Sequence, residues 1–434
     1  MATSRSAVSG AGWRTRCIDD PILTVHSPQD IIGAAERLRR VYLERALSPG
    51  AALDVFERWS AVLARGGTEV PGLAFLRLWL RRGTLEPLLT RELGPGSLSG
   101  EWETDGRSRL RVFPLGVIGH WPAGNIEIQP VLSMTCALLG GNVCLVRVPR
   151  GLVEATRASM RLLREADGAG TVSERVAIVA FDHDRRDLHE AMAGVVDGAM
   201  IWGGAEAVSS VRRLPFPHWA RLAVFGPRLS VAAMDAESWS SRSERAAWCQ
   251  RIARDVWQFD QQACSSPQTL FLERGGTADA GAFVADLKRA FEEENRMHPR
   301  REINPAQTSA VCLARASWLL GSTAHSALFP MPPDWTILIG AGVDIPTPVQ
   351  NRTLTVLLVD DLADVISRFD GIVQTLGLAI GQPDREAVLA DAAGRKGVDR
   401  IVTLGRMHVF SSPWDGMDLV RPMVRVVRHV PSQN

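Results

Sequence analysis

The sequence has no apolar run of about 18 residues, so nothing in it reads as a membrane span. Its six cysteines, Cys17, Cys136, Cys144, Cys249, Cys264 and Cys312, contain no CxxC pair. No Cys/His spacing resembles a zinc site, and a metal centre is not expected. Charge of one sign is missing too: the formal net charge is +1, which gives no bias toward nucleic acid or an anionic membrane. Arginine is abundant but scattered. Arg212-Arg213 and Arg300-Arg301 are pairs that read as solvated surface. There is no GxGxxG, no internal repeat and no low-complexity block. No apolar signal segment opens the chain, so a reducing cytoplasm is the expected compartment. Residues 1–16, rich in Ser, Arg, Ala and Gly, are expected to form a mobile tail. What is left is an ordinary soluble composition, 46% hydrophobic and 22% charged. At roughly 150 residues per domain, 434 residues suggest two or three domains.

The patterns that are present divide the chain. Residues 28–94 read as helices, with Ile31, Ile32, Ala35, Leu38, Val41 and Tyr42 at helical spacing. Gly94-Pro95-Gly96 ends that pattern. Beyond it come short apolar runs at Leu110–Ile118, Val143–Val148, Val176–Phe181, Ala199–Trp202 and Leu222–Phe225. Helix-like stretches separate several of them, near 152–166, 184–194 and 205–213. That rhythm predicts a parallel, doubly wound sheet, which binds nucleotides at the carboxyl ends of its strands. A second α/β section follows. It has strand-like runs at Ser230–Met234, Thr269–Leu272, Thr336–Ile339, Thr353–Val359, Thr375–Ile380 and Ile401–Leu404. Helices are expected at Ser243–Phe259, near 280–296, from Asp361 and near 384–393, and a last strand at Val424–Val430.

Four segments can carry chemistry. Cys264 stands in Asp260-Gln261-Gln262-Ala263-Cys264-Ser265-Ser266-Pro267-Gln268, a polar setting just before a strand, which suits a nucleophilic thiol. Cys136, Cys144 and Cys249 have apolar or helical surroundings and read as core, and nothing lifts Cys17 or Cys312 above that. The turn Gly119-His120-Trp121-Pro122-Ala123-Gly124-Asn125 can present the Asn125 amide as an oxyanion donor. A plain β-turn would use the same residue types. Arg147, in the Val143–Val148 run, and Arg150 beyond it can meet the ribose and phosphates of a dinucleotide. Gly203 and Gly204 open a helix directly after a strand, where bare N–H groups suit a pyrophosphate.

In their order these segments resemble the aldehyde dehydrogenase superfamily. Within it they look like the acyl-CoA reductases of the bacterial bioluminescence (LuxC-like) type. The resemblance spans roughly residues 105–430. It rests on residues 260–265, the turn 119–125, Phe225-Gly226-Pro227 with Ser230, Asn351-Arg352-Thr353, and Pro413-Trp414-Asp415-Gly416. It implies an α/β, aldehyde-dehydrogenase-like fold in four parts: a helical N-terminal region (1–100), a Rossmann-like NADP-binding domain (101–227), a catalytic domain (228–405) and a C-terminal oligomerisation segment (406–434). Cys264 would be the acylated nucleophile, with Asn125 and the Cys264 N–H as the oxyanion hole. Arg147 would stand in for the usual ribose-binding lysine, and Gly203 and Gly204 would open the phosphate-binding helix. His120 would be either a proton donor or a hydrogen-bonded structural histidine.

Three departures from the superfamily pattern shape the functional expectation. Arg150 replaces a glutamate that often holds the ribose 2′-hydroxyl, which favours NADPH. The stretch Leu222–Pro227 lacks the glutamate that activates water against the thioester, so a Cys264 thioester would be reduced instead of hydrolysed. The Glu-x-Phe that grips the nicotinamide ribose is missing, leaving Asn351 and Arg352 as candidates for that contact. The expected reaction is NADPH-dependent reduction of an acyl thioester, a fatty acyl-CoA or a partner-delivered acyl group, to an aldehyde. A reductase of an acyl phosphate or of a carrier-protein-bound acyl group, or a catalytically silent assembly subunit, are the alternatives. An acyl-transferring partner and a homo-oligomer, with the last strand crossing to a neighbour, are expected by analogy.

Overall fold

The computed structural model describes residues 20–65, 70, 72–98, 100–275, 279–300 and 303–431. The tail at 1–16, Cys17 and Arg301 lie outside the described residues. The chain divides into two compact units, Met1–Gly226 with Asp418–Asn434, and Pro227–Met417.

The first unit begins with β1 (Ile22–Thr24) and four helices: α1 (Pro28–Glu44), α2 (Pro49–Ala64), α3 (Leu73–Trp79) and α4 (Arg82–Leu93). The helix starts are written locally. The Ser27 N–H donates to Asp30 Oδ2 at 2.9 Å ahead of α1, and Ser48 Oγ accepts the Ala51 N–H at 3.2 Å ahead of α2. Gly94, at φ +91°, ends α4. Next come β2 (Glu103–Asp105), β3 (Ser108–Pro114) and β4 (Val117–Trp121). The single run expected at 110–118 is therefore two strands. Gly116 breaks it at φ +135°, where a Cβ would sit 2.3 Å from Asp197 Oδ2. That carboxylate needs the space, because it accepts the Val117 N–H at 2.8 Å.

Alternation follows: α5 (Gln129–Leu139), β5 (Val143–Val148), α6 (Val153–Ala166), β6 (Val176–Ala180), α7 (Arg186–Gly194), β7 (Gly198–Trp202), α8 (Ala205–Arg212) and β8 (Arg221–Phe225). The strands form a parallel six-stranded sheet in the order β1-β6-β5-β4-β7-β8, the doubly wound sheet the rhythm predicts. Ile31 and Leu38 of α1 pack into one core with Leu145, Val179 and Ile201 of the sheet. Each such buried side chain contributes about 1.5–3 kcal/mol. The C-terminal strand, Val424–His429, pairs antiparallel with β3 of its own chain, where a neighbour's strand had been expected. Buried Glu92 anchors the segment before it by accepting the N–H groups of Leu419, Val420 and Arg421 at 2.7–2.9 Å.

The second unit contains β9 (Leu229–Met234), α9 (Arg242–Trp257), β10 (Pro267–Glu273), α10 (Ala280–Met297), α11 (Pro305–Gly321), β11 (Ser326–Leu328), β12 (Thr336–Ala341), β13 (Thr353–Val359), α12 (Leu362–Ser367), β14 (Val373–Ala379), α13 (Pro383–Arg395) and β15 (Arg400–Thr403). Its seven-stranded sheet has the order β11-β12-β13-β10-β9-β14-β15, parallel except for β11. Helix α11 has no counterpart in the sequence reading. Only Val311 and Arg315 are buried along its length, so it has no apolar stripe to betray it.

Candidate active site

Cys264 lies in the connection between α9 and β10, at the amino-terminal rim of the seven-stranded sheet. The parallel strands bring residues from their starts to this rim: Ser230 of β9, Pro267 of β10, Thr353 of β13, Gln374 of β14 and Arg400 of β15. Ser230 Oγ donates to the Cys264 carbonyl at 2.6 Å. Ser265 Oγ lies 3.0 Å from His408 Nδ1, and His408 Nε2 lies 2.7 Å from the Asp255 carbonyl. A carbonyl only accepts, so Nε2 carries the proton and Nδ1 accepts from Ser265. Burial holds His408 down at about 4, so this imidazole is neutral.

Two short left-handed segments shape the loop. Phe259, Asp260 and Gln261 have φ of 55°, 48° and 61°; Gln350, Asn351 and Arg352 have 60°, 55° and 57°. For residues with a Cβ this conformation costs roughly 1–2 kcal/mol each. Side chains tie the two segments together. Arg352 Nε donates to Asp260 Oδ1 at 2.5 Å, and Gln262 Nε2 donates to Asn351 Oδ1 at 2.7 Å. Gln261 bonds both backbone groups of Thr353 and the Pro267 carbonyl. Arg352 is buried, with its guanidinium 4.7 Å from the Trp257 ring centroid. Asn351 and Arg352, expected at a nicotinamide ribose, thus direct these groups to the frame around Cys264.

Cys264 as a residue is half-buried, with its sulfur on the inward side. Burial pushes the thiol up to about 12, and the charge of Asp415 pushes the same way. A hydrogen bond from Gln374, the Arg400 charge and the Ser265 N–H oppose that shift. Cys136, Cys144 and Cys249 are buried, as their apolar settings predict, and Cys312 is exposed.

The other expected residues belong to the first unit. Asn125 is exposed in the bend after β4. His120, on β4, is fully buried: its Nδ1 lies 2.8 Å from Ser133 Oγ, which also accepts from Trp202 Nε1 at 2.9 Å. Burial drops His120 to about 3, and its Nε2 has no partner among the described residues. These surroundings suit a structural histidine better than a proton donor.

Arg147, on β5, donates to the Phe181 carbonyl at 3.2 Å and sits over the Phe181 ring at 5.7 Å. Its Nε is buried without a partner among the described residues, and burial lowers its basicity. His189 joins this cluster, unanticipated from sequence. It accepts from Trp121 Nε1 at 3.0 Å and packs edge-on against Phe181. Its short helical context gave no signal. Arg150 is 84% exposed and paired with Asp182 at 2.7 Å. Gly203, at φ +154°, follows β7, and Gly204 is the N-cap of α8. A Cβ on Gly203 would lie 3.2 Å from Ala207 Cβ.

Comparison with solved structures places this fold. An aldehyde dehydrogenase from Brucella melitensis superposes with a TM-score of 0.72 at 13% identity, covering 93% of this chain and 89% of that one. An indole-3-acetaldehyde dehydrogenase solved with NAD+ gives 0.70 at 13% identity, covering 93% and 89%. The fold is aldehyde-dehydrogenase-like, as the sequence resemblance implied. The sequence profile of the acyl-CoA reductase (LuxC) family matches residues 29–426, and the chain belongs to that family of aldehyde-forming oxidoreductases. Similar curated proteins include the long-chain acyl-protein thioester reductase of Aliivibrio fischeri, 22% identical over 351 residues, 80% of this chain and 71% of that one. The protein of the same description from Photorhabdus luminescens is 24% identical over 358 residues, 80% and 70%.

Proposed function

We propose that the protein reduces a long-chain acyl thioester to the aldehyde through a thioester on Cys264, using NADPH. The carrying observation is the Cys264 loop: a half-buried cysteine whose carbonyl accepts from Ser230, in a connection that Gln261 ties to the starts of β10 and β13. Cys264 attacks the acyl carbon and the incoming thiol departs. By family resemblance the developing oxyanion falls to the Asn125 amide and the Cys264 N–H. Arg147, with its unpaired Nε, fits a ribose, and the Gly203-Gly204 opening of α8 fits a pyrophosphate. Exposed Arg150 fits a 2′-phosphate. When bound, the reduced nicotinamide supplies hydride to the acyl carbon. Cys264 then leaves as the thiolate, the aldehyde is released, and solvent returns the proton to the sulfur. The β8 strand, Arg221–Phe225, carries no carboxylate, which supports reduction over hydrolysis.

The relatives' description as acyl-protein thioester reductases supports an acyl group delivered by a partner protein. A reducing cytoplasm suits a free thiol, and the edge strand Val424–His429 suits pairing with a second copy. The test is mass spectrometry after exposure to a panel of acyl-CoAs without NADPH. An acyl adduct on Cys264 is expected, at its highest yield with the preferred chain. Full reductase activity in Cys264→Ala would sink the reading.

A further inference from the structure

Arg300, whose pairing with Arg301 reads as solvated surface, is half-buried at the amino-terminal rim of the seven-stranded sheet. Its Nη1 donates to the Pro333 carbonyl at 3.4 Å. Its Nε and Nη2 are buried and have no partner among the described residues. Those two nitrogens form one edge of the planar guanidinium, the edge that takes two oxygens of a single phosphate or carboxylate side by side. Two further arginines crowd the same loop. Buried Arg315 donates to Thr336 Oγ1 at 2.9 Å and to the Trp335 carbonyl at 3.1 Å, with its guanidinium 4.0 Å from the Phe329 ring centroid. Buried Arg352 accepts the Thr336 N–H on its carbonyl at 2.9 Å and donates to the His298 carbonyl at 3.1 Å. Asp260 pairs with Arg352, and Asp334 accepts from Asn295 at 3.3 Å. Among the described residues no carboxylate pairs with Arg300 or Arg315. A buried guanidinium edge without an acceptor is costly, and an anion from outside the chain removes that cost. The surface beside it is open: Pro299, Met331 and Pro332 are exposed.

Pro333 leads into β12. Thr336 of β12 pairs with Thr353 of β13, and β13 pairs with β10, the strand that follows Cys264. Two strand spacings of about 4.8 Å set the Arg300 edge roughly 10 Å from the Cys264 loop along one rim. The candidate cofactor residues Arg147, Arg150, Gly203 and Gly204 lie in the other unit. Coenzyme A and carrier proteins present an acyl thioester on the same arm, a pantetheine that ends in a phosphate. About thirteen bonds separate its sulfur from the phosphorus, roughly 14 Å when extended, which spans that stretch of rim. We propose that the Arg300 edge is a phosphate site for the phosphopantetheine arm of the acyl donor, with Arg315 and Arg352 adding positive charge behind it. This rests on Cys264 being the acyl carrier. Burial holds the basicity of Arg300 down; Asp260 and Asp334 oppose that effect, while Arg352 and Arg315 reinforce it. An incoming phosphate relieves the repulsion among the three cations.

The test compares donors of one acyl chain: tetradecanoyl-pantetheine, which has no phosphate, tetradecanoyl-4′-phosphopantetheine and tetradecanoyl-CoA. Cys264 acylation is followed by mass spectrometry without NADPH, at donor concentrations below saturation. A two-pronged charged contact is expected to make the phosphopantetheine donor faster than the pantetheine donor by on the order of 10- to 100-fold. In Arg300→Gln that ratio is expected to fall to about threefold or less. Equal wild-type rates with the phosphopantetheine and CoA donors identify the phosphate they share as the group that is read, the chemistry of a carrier arm. A further gain with CoA identifies its own diphosphate, and either result keeps the site. A wild-type ratio near one overturns the proposal, and so does an undiminished ratio in Arg300→Gln. Inorganic phosphate tests the wild-type protein without a variant. It is expected to slow acylation by the phosphopantetheine donor and spare the pantetheine donor; equal slowing of both, or of neither, overturns the proposal. An adduct that forms equally with and without the donor phosphate leaves the acyl-carrier reading standing. No Cys264 adduct with any donor overturns that reading, and the proposal with it.

Discussion

Gln261 closes its side-chain amide on both backbone groups of Thr353: Nε2 donates to the Thr353 carbonyl at 2.9 Å, and Oε1 accepts the Thr353 N–H at 2.7 Å. The same Nε2 donates to the Pro267 carbonyl at 2.7 Å. One buried amide thus joins the Cys264 loop to the first residues of β10 and β13.

Gln261→Ala removes the buried donor from the Thr353 and Pro267 carbonyls, while the Thr353 N–H keeps the Gln350 carbonyl at 3.0 Å. Each carbonyl that loses it costs about 1–3 kcal/mol, so a loss of at least about 2 kcal/mol in the stability of the second unit is expected. Urea denaturation followed by tryptophan fluorescence measures it. The thiol of the variant is also expected to lose its selective protection from alkylation as the loop frays.

Arg352→Lys is not a mild change. Arg352 spreads its guanidinium over Trp257 while bonding Asp260, Asn295 and the His298 carbonyl. A lysine cannot reproduce that planar fork. Because Arg352 is buried and Asp260 is part-exposed, the expected loss is about 1–3 kcal/mol. A double-mutant cycle with Asp260→Asn is expected to give a positive coupling energy, and additivity would contradict it.

The proposed NADPH preference rests on Arg150, whose guanidinium is paired with Asp182. Asp182→Asn frees it, and because exposed ion pairs are worth about 0.2–1 kcal/mol, KM for NADPH is expected to fall up to about fivefold. KM for NADH should hardly move. Arg150→Glu is expected to reverse the preference, and an unchanged NADPH/NADH ratio of kcat/KM would refute the assignment.

Asp255 predicts a pH effect of definite sign. Burial raises it to about 7 from an ordinary value near 3.8, against the opposing N–H groups of Gly405 and Met407. The folded protein therefore holds this proton more tightly than the unfolded chain. Its contribution is full below about pH 4 and is lost as pH rises toward 7, by at most about 1.4 kcal/mol per pH unit. His408, held down at about 4, acts oppositely and weakens the fold as pH falls from 6.5 toward 4. The useful quantity is thus the difference between wild-type and Asp255→Asn stability, which should shift in favour of the variant between pH 4 and 7. A pH-independent difference would remove the argument.

Much of the fold was legible locally. The run Val143–Val148 is β5 residue for residue, and the expected run Thr353–Val359 is β13. Alternating apolar strands and amphipathic helices leave a mark on neighbouring residues, and that mark survives without knowledge of the fold. The polar dress of Cys264 was legible for the same reason. Helix α11 and the short strands β1 and β2 were not, because too few of their residues are buried to print a period. The roles of Asn351 and Arg352 were also beyond the sequence, since what they bond depends on a second left-handed segment far along the chain.

The sequence by itself determined the alternation of elements, the family pattern and which cysteine stands apart. Tertiary structure alone decided what surrounds that cysteine. Strand order, not sequence distance, brings Ser230, Gln374 and Arg400 to one rim of a sheet, because parallel strands in register present their starts together.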